Sequence, residues 1–298
     1  MNLIKPKKLN LGDKIKIIAP SGPVDATKIK KAAEYLIKKG YSVEFGKHIF
    51  NKEHYLAGND QERLSDIHEA FLDKDTKAVI CARGGYGALR LIDKINYELI
   101  ADNPKIFCGY SDITILNTMF LKKSNLITFT GAMLQSDFAE EITQYTEHEF
   151  FNTLDGNLKE IIPNTLKVYN SGNAKGILFG GNLSTLASLC GRNFVPDTNF
   201  ILLIEDINEP SYKIDRYITQ LLGISAFREN LSAILLGEFI NVDEQIVFED
   251  YFNKLAKELD IPVYGGYPIS HSKLKATIPI GVNSNLIDGK LKINDYVV

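Results

Sequence analysis

The sequence has no tryptophan and only three cysteines, Cys81, Cys108 and Cys190. Odd in number, far apart and set in apolar contexts, they frame no disulfide scaffold. They read as buried free thiols, and a reducing, cytoplasmic setting is expected. Histidine is also sparse, and His48, His54, His68, His148 and His271 do not cluster. With no His-Glu-x-x-His and no Cys-x-x-Cys, no metal site is expected. Neither sign of charge dominates: the formal net charge is −3, which offers no basic surface to nucleic acid or an anionic membrane. No apolar run approaches the ~18 residues needed to cross a bilayer. The opening Met-Asn-Leu-Ile-Lys-Pro-Lys-Lys lacks the apolar centre of a secretory signal. A soluble globular chain is expected, and 298 residues suffice for one large or two ordinary domains.

The first half alternates strand and helix signals. Lys14–Ala19, Tyr41–Phe45, Lys77–Cys81, Ile106–Cys108 and Leu126–Phe129 read as strands. Between them, Ile29, Ala32, Ala33, Leu36 and Ile37 share one helical face, and Asp60 to Leu72 reads as a second helix. This alternation predicts an α/β fold with a parallel sheet covered on both faces and its site at the strands' carboxyl ends. Residues 1–150 are expected to form that N-terminal α/β domain. The turn-rich stretch 151–173 reads as a linker, and 174–298 as a smaller, β-rich C-terminal α/β domain. In it, strands are expected near Lys175–Phe179, Phe200–Ile204 and Ala233–Leu236, helices around Ile214–Leu222 and Phe248–Glu258, and a hairpin at Asp288-Gly289.

Chemistry enters at Gly109-Tyr-Ser-Asp112, where the Ile106–Cys108 strand gives way to the apolar helical pattern of Ile113, Leu116, Met119 and Phe120. A serine on a sharp strand-to-helix turn can present its hydroxyl beside the unpaired N–H groups of the new helix. The same placement also suits an ordinary N-cap. Arg83-Gly-Gly-Tyr-Gly87 follows the neighbouring strand. Its glycines let backbone N–H groups approach a ligand, so Gly84 or Gly85 can supply an oxyanion donor, or the segment is simply a tight turn. Phe200-Ile-Leu-Leu-Ile-Glu-Asp206 reads as a buried strand ending at Glu205, a carboxylate at the sheet's rim or part of a solvated acidic turn. His271 follows an apolar strand and a proline turn. Asn182, in Gly180-Gly-Asn-Leu183, can bind a ligand or cap a helix. The order Ser, Glu, His is that of an α/β-hydrolase triad, but Ile113 stands where the usual Gly-x-Ser-x-Gly elbow has its second glycine.

These segments together resemble the LD-carboxypeptidase family of serine peptidases, which also contains the microcin C immunity peptidases. The likeness runs nearly end to end: Ala19-Pro-Ser-Gly-Pro23, Tyr55-Leu-Ala-Gly-x-Asp60 with Arg63, Arg83-Gly-Gly-Tyr-Gly87, Gly109-Tyr-Ser-Asp112, Gly180-Gly-Asn-Leu183, Leu203-Ile-Glu-Asp206 and Pro268-x-x-His271. The resemblance implies that Ser111 is the nucleophile, His271 the general base and Glu205 the group orienting it. It implies an oxyanion hole from the N–H of Asp112 and of a glycine at 84–85. It also implies two domains with the triad across their cleft, a homodimer, and neither metal nor cofactor. Thr130-Gly-Ala132 departs from the family's His-Gly-Pro, which bears on the pocket wall nearby and not on the triad.

The activity implied is hydrolysis of the amide between the L-configured third-position diamino acid of a murein tetrapeptide and its terminal D-alanine. Murein peptide is thus the expected partner. Arg83, the nearest cation in sequence to the glycine turn, is a candidate for the terminal carboxylate, because a guanidinium can donate two parallel hydrogen bonds. A structural arginine is the alternative. Within the family the competing expectation is an immunity peptidase acting on aminoacyl-nucleotide antibiotics, against which the lack of tryptophan for stacking a purine counts modestly. Outside it stands a non-catalytic α/β ligand-binding protein that uses the Gly84–Gly85 turn for an anion.

Overall fold

Short apolar runs rich in isoleucine and valine set up the first sheet. The computed structural model describes residues 2–298. In it these runs become β1 (Lys14–Ile18), β2 (Ser42–Phe45), β3 (Thr76–Cys81), β4 (Ile106–Cys108) and β5 (Thr128–Thr130). The five pair in parallel in the order β5-β4-β3-β1-β2. Parallel neighbours need crossovers, here α1 (Ala26–Lys38), α2 (Asp60–Leu72), α3 (Tyr97–Asp102) and α4 (Thr114–Ser124). Asp25 caps α1 by accepting the N–H groups of Thr27 and Lys28, and Asn59 with Glu62 forms a reciprocal capping box on α2. Ile29, Ala32, Ala33 and Leu36 of α1 are buried as the spacing predicts, but Ile37 is exposed at the helix's end.

α4 differs from the other crossovers because it is buried all round, from Thr114 to Leu121. It packs on β5 of the first sheet and on strand 174–182 of the second, so both sides of the helix meet protein. Phe120 locks it in place, meeting Phe71 and Phe107 edge-on with ring centroids 5.6 and 4.8 Å apart. Truncating Phe120 to alanine would cost about 3–5 kcal/mol.

Residues 151–173, expected as a linker, do more than connect. α5 (Gln144–Leu154) runs into the stretch, and β6 (Glu160–Ile161) and β7 (Lys167–Asn170) form the two edges of the second sheet. Such short strands leave no readable alternation in sequence. The second sheet is built on β8 (Ala174–Asn182), β9 (Phe200–Ile207), β10 (Leu231–Ile240) and β11 (Val263–Gly265), all parallel. Around them run α6 (Leu183–Ala187), α7 (Ser211–Leu222), α8 (Ser225–Asn230) and α9 (Gln245–Leu259). The next strand, β12 (Ile278–Ile280), leaves this sheet and pairs antiparallel with β5 of the first, Ile278 opposite Thr130. The hairpin β13 (Asn283–Ile287) and β14 (Lys290–Ile293), turning at Asp288-Gly289 as expected, completes the order β6-β14-β13-β8-β9-β10-β11-β7. Cys81 and Cys108 are free and buried, whereas Cys190 is only partly so.

Candidate active site

β4 delivers the chain to Ser111, whose φ is 64°. The left-handed region costs an ordinary L-residue roughly 1–2 kcal/mol. The other non-glycine residues there, among those described, are Asn, Asp or His, which tolerate it better. Ser111 starts a single 3-10 turn, Ser111–Ile113, that runs into α4, and its side chain caps neither. The helix-cap reading of this serine is therefore not what the structure shows. Strain persists only where the surroundings over-determine it, and those surroundings are specific.

The first is the glycine turn after β3. A Cβ on Gly84 would lie 2.8 Å from Ser111 Cβ and 3.0 Å from Oγ, so only glycine lets this backbone reach the serine. Gly84 is held by its carbonyl, which accepts the N–H of Gly22 at 3.0 Å. The Asp112 carboxylate accepts the Ala88 N–H at 2.9 Å, tying the far end of the turn to the residue after the serine. Burial pushes the Asp112 carboxyl above its ordinary value, and that N–H bond partly offsets the effect. Arg63, fully buried on α2, donates to the carbonyls of Pro20 and Gly87 at 2.6 and 2.9 Å and to Asp60 at 2.6 Å. It thereby fastens both loops bordering Ser111.

The second comes from β8 and β9. Thr114, in the first turn of α4, accepts the Asn182 N–H through Oγ1 at 3.1 Å, so the two halves of the chain join three residues beyond the serine. β9 does not end at Glu205 as expected but continues to Ile207, and Glu205 is buried and not at the rim. Its Oε2 lies 2.7 Å from His271 Nδ1. A carboxylate only accepts, so Nδ1 carries the hydrogen and Nε2 is left as the basic nitrogen. His271 reaches this position because Gly237 of β10 lets the Ile269 carbonyl sit directly over it, where a Cβ would collide. That same carbonyl accepts the Glu238 N–H at 2.9 Å. The Tyr110 ring, one residue from Ser111, meets the imidazole edge-on at 4.9 Å. Among the described residues the imidazole hydrogen-bonds Glu205 and not Ser111; such bonds are commonly long in unliganded sites and shorten with substrate.

Asn182 does not behave as a ligand contact. Its amide donates to Asp206 at 2.9 Å and Glu205 at 3.3 Å, while its Oδ1 accepts from Ser184 Oγ and the Thr185 N–H. All four hydrogen-bonding positions are filled inside the protein, so Asn182 orients Glu205 and caps α6. Asp206, beside it, is pushed above the ordinary carboxylate range by burial, and the Glu205 charge adds to the rise. Arg83 is half-buried and donates to the Pro23 carbonyl at 2.6 Å. It lines an open groove of about 610 Å³ with Gly22, Pro23, Tyr55, Gly85 and Tyr86. Arg63, Tyr110, Thr114 and Gly237 went unassigned in the sequence. Only Arg63 left a signal, a charge in line with Ile67 and Ala70 on the buried face of α2.

Residues 15–131 match the LD-carboxypeptidase N-terminal domain and residues 175–286 the LD-carboxypeptidase C-terminal domain. The probable murein peptide carboxypeptidase of Bacillus subtilis is 37% identical, over 94% of this chain and 90% of that protein. The crystal structure of muramoyltetrapeptide carboxypeptidase from Oxalobacter formigenes superposes with a TM-score of 0.84 at 32% identity, covering 96% of this chain and 100% of the other. That of the MccF-like protein from Bacillus anthracis str. Ames gives 0.90 at 27% identity, covering 98% and 99%.

Proposed function

Because the chain belongs to the LD-carboxypeptidase family, we propose that it is a serine-type carboxypeptidase of murein peptides, releasing D-alanine from the L-centre of a tetrapeptide. The observation that supports this reading is the Glu205–His271 hydrogen bond of 2.7 Å, which engages Nδ1 and leaves Nε2 for the reaction, with the imidazole edge-on to Tyr110, the residue before Ser111. Nε2 takes the hydroxyl proton as Ser111 Oγ attacks the scissile carbonyl. The N–H groups of Asp112 and of Gly84 or Gly85 receive the oxyanion. Among the described residues, neither glycine N–H donates to another protein group. Collapse of the tetrahedral adduct breaks the C–N bond, and His271 passes its proton to the departing D-alanine amine. Water then enters, gives a proton to Nε2, and its oxygen displaces Ser111, which recovers its hydrogen. Throughout, the Glu205 carboxylate stabilises the imidazolium.

Arg83, beside the glycine turn in an open groove, is the proposed holder of the substrate's terminal carboxylate. A homodimer in the cytoplasm belongs to the same proposal, resting on the family likeness and on the buried free thiols Cys81 and Cys108. Among the described residues no helix is long and apolar enough to cross a membrane. The test is D-alanine release from diaminopimelate- and lysine-type tetrapeptides, free and sugar-linked, with fluorophosphonate labelling at Ser111. Release without labelling, or neither, overturns the serine peptidase reading.

A second reading, cleavage of aminoacyl-nucleotides, has one observation in its favour. The exposed rings of Tyr55 and Tyr86 lie 5.8 Å apart at the groove that Arg83 lines, and aromatic faces suit a purine. Faster turnover of an aminoacyl sulfamoyl nucleotide than of tetrapeptide would establish it.

A further inference from the structure

Behind Tyr110 lies a closed circuit of polar side chains that the proposed mechanism does not use. Lys275 Nζ donates to Asp137 at 2.6 Å and to the Tyr110 hydroxyl at 3.0 Å. That hydroxyl donates to Ser136 Oγ at 3.1 Å, and Ser136 donates to the other Asp137 oxygen at 3.3 Å. Asp137 also accepts the Met133 N–H at 2.8 Å. The lysine and aspartate side chains are 4% and 5% exposed, so this is an ion pair inside the protein. Buried pairs of this kind are weak devices for stability but effective ones for fixing a single arrangement.

Its place in the fold gives it a task. Lys275 follows His271 by four residues on the same loop, while Tyr110 and Asp137 belong to the first half of the chain. The loop is pinned again on α5, where Thr146 Oγ1 donates to the Lys273 carbonyl at 2.7 Å and accepts the Lys275 N–H at 3.0 Å. Lys275 Nζ stands 4.2 Å from the centre of the Tyr110 ring, and the imidazole stands 4.9 Å from that centre. The base and the ammonium thus both lie against one ring, and the ammonium carries Asp137 with it. We propose that Lys275 and Asp137 are positioning residues that hold His271, through Tyr110, in line with Ser111 and set its proton affinity by their opposed charges. This inference rests on the peptidase reading above.

The β9 carboxylates near the imidazole have partners of their own, and Lys273 on the same loop gives its carbonyl to Thr146. Glu205 of β9 bonds it directly, Asp206 is occupied by Asn182 and by the N–H groups of Ser184 and Ile207, and β10 brings Glu238, whose N–H holds Ile269. Burial alone would lower the Lys275 ammonium's affinity for its proton, but Tyr110 and Asp137 outweigh it, so the group is held above its ordinary value and stays charged. Burial, reinforced by Asp137, raises the Tyr110 phenol, which stays neutral.

The two charges predict shifts of opposite sign. Lys275→Met leaves the Asp137 charge unopposed, favours the imidazolium, and moves the acid limb of kcat/KM up by about half a pH unit. Asp137→Asn leaves the lysine unopposed and moves it down by a similar amount. The double variant returns it to the wild-type position. Each single variant lowers kcat about tenfold or more, with KM within about threefold. The same profiles are recorded as the pH dependence of fluorophosphonate labelling of Ser111, which needs no substrate. If wild-type enzyme labels but releases no D-alanine, the substrate reading falls while the labelling profiles still test this inference. If Lys275→Met does not fold, Lys275→Arg keeps the charge and must keep the wild-type midpoint while Asp137→Asn lowers it. Shifts of the same sign in both single variants, or no shift in either, overturn the proposal.

Discussion

Gly84 lies against the side chain of Ser111 so closely that a single added methyl group would stand 2.8 Å from the serine's Cβ. The contact makes Gly84→Ala a sharp probe of the proposed nucleophile. Ser111 would have to move by several tenths of an ångström, and its hydroxyl would leave the line of attack. We expect kcat to fall about 100-fold with KM changed by less than about threefold. Steady-state kinetics on tetrapeptide checks this, and an unchanged kcat would mean that the turn takes no part in the reaction.

The serine and the histidine should act as one unit. Ser111→Ala and His271→Ala are each expected to lower kcat by ~10³-fold or more, and the double variant to lose little beyond either. Multiplying losses would show that the two residues serve separate steps.

Asn182→Ala removes the amide that steadies two adjacent carboxylates, Glu205 and Asp206, and the cap of α6. A loss of about 1–3 kcal/mol in stability is expected, together with a roughly tenfold to 100-fold drop in kcat. Urea unfolding and kinetics measured on one preparation separate the two effects. Loss of substrate affinity alone would return Asn182 to the role of a binding residue.

Arg83→Lys keeps a positive charge but loses the planar fork. KM for free tetrapeptide should rise, with the fold intact by circular dichroism, and amidating the peptide's C-terminus should erase the difference from wild type. Equal cleavage of free and amidated peptides by the wild type would remove the carboxylate-holding role.

Asp60 is held down to about 2, chiefly by its hydrogen bond to Arg90, with Lys94 adding to the effect. A carboxyl whose value falls on folding stabilises the protein above its unfolded value, near 4. That stabilisation is lost as pH drops through the folded one. Arg90 and Lys94 are about half exposed, so solvent screening trims the contribution to roughly 1 kcal/mol. Asp60→Asn should therefore lower the melting temperature at pH 7, with the difference from wild type shrinking between pH 4 and 2. A constant difference over that window would assign the effect to lost hydrogen bonds alone.

Local signals were read well and long-range ones poorly. α2 spans Asp60–Leu72 as expected because its capping box, Asn59 with Glu62, directly adjoins its apolar spacing. Ser111, Glu205 and His271 each stand beside an apolar strand, yet a helix cap and a solvated acidic turn compete for the first two, and only the resemblance across several short motifs singles the three out; Glu205 is buried and not at a rim. The partners that hold them were not legible. Arg63 acts on carbonyls 43 and 24 residues away, and Lys275 on a tyrosine 165 residues away. Nothing local distinguishes such a lysine from its solvated neighbours. β6, of two residues, was lost for the same reason, as was the pairing of β12 with the first sheet, since both depend on a partner distant in sequence.

β12 has a consequence for how the protein comes into being. The first sheet is bounded on one edge by Ile278–Ile280, which emerges from the ribosome about 150 residues after β5, the strand it covers. Until then β5 is an open edge, and His271 on the approach to β12 has not yet docked. A nascent chain stalled before that point holds the serine turn without the proposed base. Catalytic competence therefore arrives in one late event, and pulse-labelled, truncated chains should be sensitive to protease where the finished protein is not.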